Sequence, residues 1–222
     1  MSEEGQRATC RVGGGGEVTL AGLFVDYVDH LEHHLRKMLG RWERVRWEVR
    51  PVADLMPEEQ AALRTLSLAV YPPETAAAWT GRAIEWAPEQ RSVIGWDAED
   101  EALCHVGIVL REARWNERAV KIGGIGGVKT HPASRKRGFA GTAIQRALDF
   151  FREQGDVDFG LLVCEPGLIP FYERLGWRRF PGDLLVTQKQ ATVTFTFNLP
   201  MTTPIRLRES LVGTIDLLGP PW

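Results

Sequence analysis

The run GGIGGVKTHPASRKRGFAG at residues 123–141 constrains this chain more than any other stretch. Val128, Thr130 and the β-prone residues before them read as a strand, and Pro132 ends it by withholding the next backbone donor. Arg135, Lys136 and Arg137 then crowd a turn directly before Gly138, Ala140 and Gly141, whose small side chains let a ligand approach the backbone. The segment that follows, TAIQRALDFFREQ, continues a helix with apolar residues at 140, 143, 144, 147, 148 and 151, an inner face that anchors the loop to a sheet. Exposed N–H groups, the positive end of the helix dipole and three cationic side chains together form a cradle for a pyrophosphate. A charge run of this length is ordinarily a solvated turn, but the strand, proline, glycines and amphipathic helix around it reverse that reading. Two competing phosphate motifs fail. Gly124-Ile-Gly126 is followed three residues later by Lys129, which breaks a dinucleotide fingerprint, and Gly127-Val-Lys129-Thr130 breaks the P-loop spacing.

The rest of the chain supplies the setting. With 44% hydrophobic and 25% charged residues, 222 residues can build one sizeable core, and the net charge of -2 provides no global field toward nucleic acid or an anionic membrane. MSEEGQR lacks the apolar core of a signal peptide and no stretch is apolar enough to span a bilayer, so a cytoplasmic protein is expected. Cys10, Cys104 and Cys164 form no CxxC pair, which argues against a disulfide framework or structural zinc. His30 and His34 have a metal-compatible i,i+4 spacing but no third ligand, so no metal is expected. Residues 1–19, with glycines at 13–16, read as a flexible arm. Residues 20–40 read as an amphipathic helix with Gly40 as its stop. Its stripe must pack on the main domain or on a second subunit, and the reading favours a homodimer. Residues 41–222 form the main domain: a strand at 44–50, a helix at 57–69, and a hairpin of strands 91–96 and 103–111 across the acidic turn 97–101. A second turn near Trp115 and Asn116, the long helix, a strand at 158–164, a short helix and further strands complete an α+β order.

Arg135-Lys-Arg-Gly138-Phe-Ala140, with a strand before it and a helix after it, resembles the acetyl-CoA motif of the GCN5-related N-acetyltransferases (GNAT), Arg/Gln-x-x-Gly-x-Gly/Ala. FGLLVCEPGLIPFYERLGW at 159–177 resembles a second segment of that family, F-Y-x-x-x-G-[WF]. The resemblance covers roughly residues 44–200. It implies a GNAT fold, a mixed and mostly antiparallel sheet flanked by helices, and an enzyme that transfers acetyl from acetyl-CoA directly to an amine. It also implies that pantetheine lies along Val128 and Thr130, and that the diphosphate sits on Arg135, Lys136, Arg137, Gly138, Phe139, Ala140 and Gly141. Within the family the chain looks most like aminoglycoside 2'-N-acetyltransferases, through Tyr172–Trp177, Leu199-Pro200 and Trp222. It departs from them where their central-strand glutamate aligns with Gly126, and in the additional amino-terminal helix.

By that resemblance Tyr172 is the general acid for the leaving thiolate. The base stays open among Glu85, Glu165, His131, a water chain and the amine's own titration, with Glu165 the named candidate because it follows the strand ending at Cys164. Cys164 as an acetyl-accepting thiolate is disfavoured, since a cysteine buried at a strand end is usually inert. A polycationic acceptor would need carboxylates, and Glu74, Glu85, Asp97, Glu99, Asp100, Glu101 and Asp216 are available. Glu85, Trp86 and Trp222 are the substrate-binding candidates, with Trp79 and Trp96 as further walls; the bland reading of these tryptophans is core. The acceptor is expected to be a small-molecule amine, an aminoglycoside foremost. Acetylation of a protein or peptide, or a degenerate acyl-CoA-binding module, are the alternatives.

Overall fold

A computed structural model describes residues 9–11, 17–19, 21, 24, 25, 27, 28, 31 and 45–222. It divides into two compact units, Met1–Val45 and Arg46–Trp222.

In the first unit, β1 (Thr9–Arg11) and β2 (Glu17–Thr19) pair antiparallel with Thr9 opposite Thr19 and Cys10 opposite Val18. Within the segment read as a flexible arm, β-branched residues flank the glycines and carry a short ladder. The glycines at 13–16 lie outside the described residues. Residues 21, 24, 25, 27, 28 and 31 are helical, within the segment where a helix is expected. The remainder of 20–40, His30, His33 and His34 included, lies outside the described residues.

The second unit opens with β3 (Arg46–Pro51) and α1 (Pro57–Val70). Pro57 occupies the first helical position, where its missing N–H costs nothing, and the Glu59 carboxylate accepts from the Met56 amide at 2.8 Å. Tyr71 ends α1 because Pro72 and Pro73 follow. Pro73 then starts α2 (Pro73–Ala78), a short helix in a stretch that the sequence reading treats as irregular. β4 (Arg91–Trp96) and β5 (Ala102–Trp115) form the expected hairpin. Asp97 is buried and its Oδ1 accepts from the amides of Glu99 and Glu101, each at 2.9 Å, so the acid that opens this cluster builds the turn.

β6 (Arg118–Thr130), α3 (Phe139–Gln154) and β7 (Phe159–Cys164) follow, then α4 (Ile169–Glu173) and β8 (Arg178–Arg179). β9 (Asp183–Gln188), β10 (Ala191–Thr194), β11 (Leu199–Pro204) and β12 (Thr214–Asp216) complete the chain. Ten strands join in one mixed sheet, with the order β10-β9-β12-β5-β6-β7-β11-β8 and β4 and β3 added beside the first half of β5. The β6–β7 and β9–β12 pairs are parallel and the others antiparallel.

α3 buries Ala143, Ile144, Ala147, Leu148 and Phe151 in a cluster with Val106, Ile108, Ile125, Leu162 and Trp177. Leu66 of α1 joins Ile94 and Trp96 in a separate cluster. A third gathers Val109, Ile122, Leu161, Leu184 and Trp222.

Two irregularities define the middle of the sheet. β6 and β7 pair only from Ile122 opposite Phe159 to Gly124 opposite Leu161, and beyond that point they no longer pair with each other, β6 staying on β5 and β7 on β11. On its other side β6 pairs with β5, but His105 faces Lys129 while Gly107 faces Gly126, which leaves one extra residue on β6. Gly127 takes the left-handed conformation there, φ +56°, which a side chain would strain. Beside the parting, the Trp222 indole covers Gly124, and its Nε1 donates to the Leu161 carbonyl at 3.3 Å. A Cβ at residue 124 would collide with that ring. Gly124→Ala is therefore expected to destabilise the second unit by about 1–3 kcal/mol through overpacking, read as a lower chemical-unfolding midpoint with an unchanged slope.

Candidate active site

β6 leads straight into the expected cradle. The strand stops at Thr130, a 3-10 turn occupies Pro132–Ser134, and α3 begins at Phe139. Lys136 and Gly138 both take positive φ, +63° and +82°, so the turn reverses sharply enough to aim the start of α3 outward. A Cβ on Gly138 would meet nothing within 4 Å, so open space lies before the helix. The first helical bond runs from the Thr142 amide to the Gly138 carbonyl, and the amides of residues 139–141 precede it without an intrahelical acceptor. Arg135, Lys136, Arg137 and Gly138 are exposed around this end, and Ala140 and Gly141 are half-buried. Phe139 turns inward instead, its ring edge-on to Trp47 at 6.3 Å, so that it anchors the loop and only its backbone faces the turn. Val128 packs against the α3-side core, and Thr130 Oγ1 lies 3.5 Å from Cys104 Sγ.

Tyr172 is buried on α4 between Phe171 and Trp177, with ring centroids 5.0 and 6.4 Å away. Burial pushes its hydroxyl up, and Cys164 and Tyr71 add to that, so it stays protonated at neutral pH. Burial likewise pushes the Cys164 thiol up to about 11, with Glu165 contributing, and its Sγ donates to Met201 Sδ at 3.6 Å. A neutral thiol in that setting is a poor nucleophile. Glu165 is exposed and precedes the turn Pro166–Leu168, where its carbonyl, not its side chain, accepts from Leu168.

The substrate-binding candidates come from other segments, and Trp222 lies against Gly124 and Gly126 of β6. The Glu85 carboxylate accepts from the Lys189 amide at 3.0 Å and fastens the β9–β10 turn. Trp86 stacks on Trp79 at 5.8 Å and meets Phe195 and Phe197 edge-on, while its Nε1 donates to the Gly81 carbonyl. Trp222 is 8% exposed, with Arg111 over its ring at 5.2 Å. The side chains of Glu85, Trp86 and Trp222 thus have structural partners, and the bland reading of the two tryptophans is the one that the packing favours. His131 Nδ1 accepts from the Ala133 amide in the turn after β6.

The bulge instead gathers residues that sequence spacing does not connect. His105 is 1% exposed; its Nδ1 lies 3.0 Å from the Gly127 carbonyl, and its Nε2 lies 3.2 Å from both Ser92 Oγ and Glu89 Oε1. Ser92 Oγ donates to the same carboxylate oxygen at 3.3 Å. A carbonyl only accepts, so Nδ1 is the donor to Gly127, and Nε2 faces the Glu89 carboxylate and the Ser92 hydroxyl. Glu89 lies over Gly107, where a Cβ would strike Oε2, and that oxygen is 3.8 Å from the position of a Cβ on Gly127. Burial pushes the Glu89 carboxyl up, but His105, Lys129 and Ser92 together outweigh it and hold it below its ordinary value. Lys129 Nζ donates to Ser67 Oγ of α1 at 3.0 Å, and burial pulls its pKa down while Glu89 partly restores it. An open cavity of about 320 Å³ lies here, lined by Gln60, Arg64 and Ser67 of α1 with Glu89, His105 and Lys129, and by Val52, Leu55 and Leu63. Among the described residues no group of three or more His, Cys, Asp or Glu could hold a metal ion.

Comparison with known proteins places the chain in a family. Residues 48–180 match the sequence profile of the acetyltransferase (GNAT) domain. The chain belongs to the GNAT acetyltransferase family. No curated protein matches it. Among solved structures it is similar to Escherichia coli ElaA, with TM-score 0.52 and 16% identity over 72% of this chain and 99% of that one. It is similar to the E. coli GNAT family N-acetyltransferase YhbS in complex with CoA, with TM-score 0.52 and 13% identity over 79% and 91%. It is also similar to an acyl-CoA N-acyltransferase from Pseudomonas aeruginosa, with TM-score 0.50 and 17% identity over 72% and 99%. The fold is that of the GNAT acetyltransferases, and acetyl-CoA is the cosubstrate that membership assigns. The geometry fits such a group: two strands part beside the bulge, and the outward-aimed start of α3 offers amides where the carrier's diphosphate would rest.

The depressed Glu89 carboxyl links the site to stability. A carboxyl whose folded pKa is lowered stabilises the fold above its unfolded value, and loses that contribution as pH falls through the folded one. Between about pH 6 and pH 3, wild-type protein is expected to lose more thermal stability than Glu89→Gln, measured by calorimetric melting.

Proposed function

We propose that the second unit transfers acetyl directly from acetyl-CoA to a small-molecule amine, with the acceptor entering the cavity beside the β6 bulge. The observation that carries this reading is the Glu89 carboxylate, fixed by His105 and Ser92 at the bulge, where Gly126 leaves the family's usual strand position without an acid. Residues 135–141 hold the diphosphate, with Arg135, Lys136 and Arg137 supplying charge and the amides of 138–141 supplying donors. Val128 and Thr130 flank the pantetheine. Acetyl-CoA supplies an activated thioester. Glu89 receives a proton from the acceptor's ammonium, and His105 positions it. Tyr172, kept protonated by burial, gives its proton to the departing sulfur. Glu165, exposed beyond the strand end, is not among the residues that line the cavity.

The size of the cavity favours a small acceptor over a polypeptide, and two positioned proton-transfer groups favour an enzyme over a binding module. An aminoglycoside is less well supported. Several of the acids that would receive a polycation are committed elsewhere: Asp97 to its hairpin, Glu85 to Lys189, and Asp216 to the Leu218 amide. In the first unit Phe24, Val25, Tyr27 and Leu31 are exposed, which supports the helix there as a face for a second copy. Among the described residues no helix is long and apolar enough to cross a membrane.

Glu89→Gln and Tyr172→Phe are each expected to lower kcat by about 10²-fold or more, with the calorimetric heat of CoA binding retained. Arg135→Glu with Lys136→Glu should weaken that binding instead. Wild-type protein that gave no heat with CoA would sink the reading.

A further inference from the structure

The charges lining the cavity do not balance, and the imbalance speaks to the acceptor. Glu89 is the one carboxylate among the lining residues, and its Oε1 lies 3.2 Å from His105 Nε2. Two cations face the same space, Arg64 from α1 and Lys129 from β6. Lys129 is half-buried, hydrogen-bonds the neutral hydroxyl of Ser67, and has its pKa pulled down by the lost hydration, which the Glu89 carboxylate only partly offsets. A cation held in this way gains from any anion that reaches it, because the attraction acts in a medium of lower dielectric than water. Arg64 lies one helical turn before Ser67 on the same face of α1, so both cations border one side of the opening. Glu89 lies beside the glycine bulge, with its Oε2 close to Gly107 and Gly127.

From this juxtaposition we infer that the acceptor is an amine that carries its own carboxylate, an α-amino acid or a close relative. Lys129 and Arg64 take the carboxylate, and Glu89 faces the ammonium. The inference rests on the proposed acetyl transfer and narrows it. The ammonium gives one proton to Glu89, which passes it to solvent. The free nitrogen attacks the thioester carbon, a C–N bond forms and the C–S bond breaks with its electron pair on sulfur. Sulfur takes the Tyr172 proton, and the second proton lost by nitrogen restores the Tyr172 hydroxyl. The products are an N-acetyl amino acid, free CoA thiol and one released proton. A dication of Arg64 and Lys129 also repels polycationic acceptors, which gives selectivity by repulsion as well as attraction.

The test compares free α-amino acids with their α-amides as matched acceptors, alongside kanamycin, with acetyl-CoA and thiol release as the readout. CoA binding is followed separately by calorimetry. The expected result is a kcat/KM at least about tenfold higher for the acids than for their amides. That ratio should fall to within about threefold in Arg64→Gln and in Lys129→Met, with the heat of CoA binding retained. Arg64 is exposed on α1, so its variant keeps the test sound even if Lys129→Met folds poorly. Equal rates for acids and amides, a preference for amides or for kanamycin, or no acetylation of any acid overturns the inference while leaving acetyl transfer standing. Absence of CoA binding in the wild type would overturn the underlying reading instead.

Discussion

The site depends on one extra residue in β6. Because the strand carries a bulge at Gly127, its backbone leaves register with β5 and turns a carbonyl toward His105, which is thereby fixed with its other nitrogen on Glu89. A regular ladder would use that carbonyl for a strand partner and leave the imidazole without its anchor. The same irregularity comes just after the last β6–β7 pair, so the opening between strands and the acid beside it arise from one local choice of backbone. Glycine makes that choice available: Gly107 leaves room for the carboxylate, Gly127 accepts the left-handed turn, and Gly124 accepts an indole.

The two faces of this sheet divide the work. α3 packs its apolar stripe on one face and brings its start to the end of β6, which sets where a diphosphate can sit. α1 lies over β5 and β6 and supplies Arg64 and Ser67 to the cavity. Loss of the β6 bulge would disturb the junction between the two without touching either helix.

The turn at 135–138 and the helix that starts after it were legible in the sequence because all their causes are local. A proline, two glycines and an amphipathic repeat fall within one short stretch, and each acts on its immediate neighbours. The long helix and the hairpin were legible for the same reason. Glu89, His105 and Lys129 were not, since they come from three separate segments and meet only through strand pairing and the bulge. The available signal was weak: a histidine inside the apolar run LCHVGIV, and a glutamate between Pro88 and Gln90 just before a strand. Trp86 and Trp222 could be read as walls or as core, and their contacts with Phe195 and Gly124 lie too far along the chain for any local pattern to show. α2 escaped because six residues hold too little periodicity.

At the other end of the β6–β7 pair stands Asp158. Its carbonyl accepts from the amides of Ile205, Arg206 and Leu207, its own amide donates to the Lys121 carbonyl, and its carboxylate accepts from the Lys121 amide. Three segments are thus riveted at a single residue just before the strands run parallel. The pair behaves like a clothes-peg, stiff at the spring and free at the jaws, and whatever widening admits a bulky carrier is confined to the tip beyond Gly124.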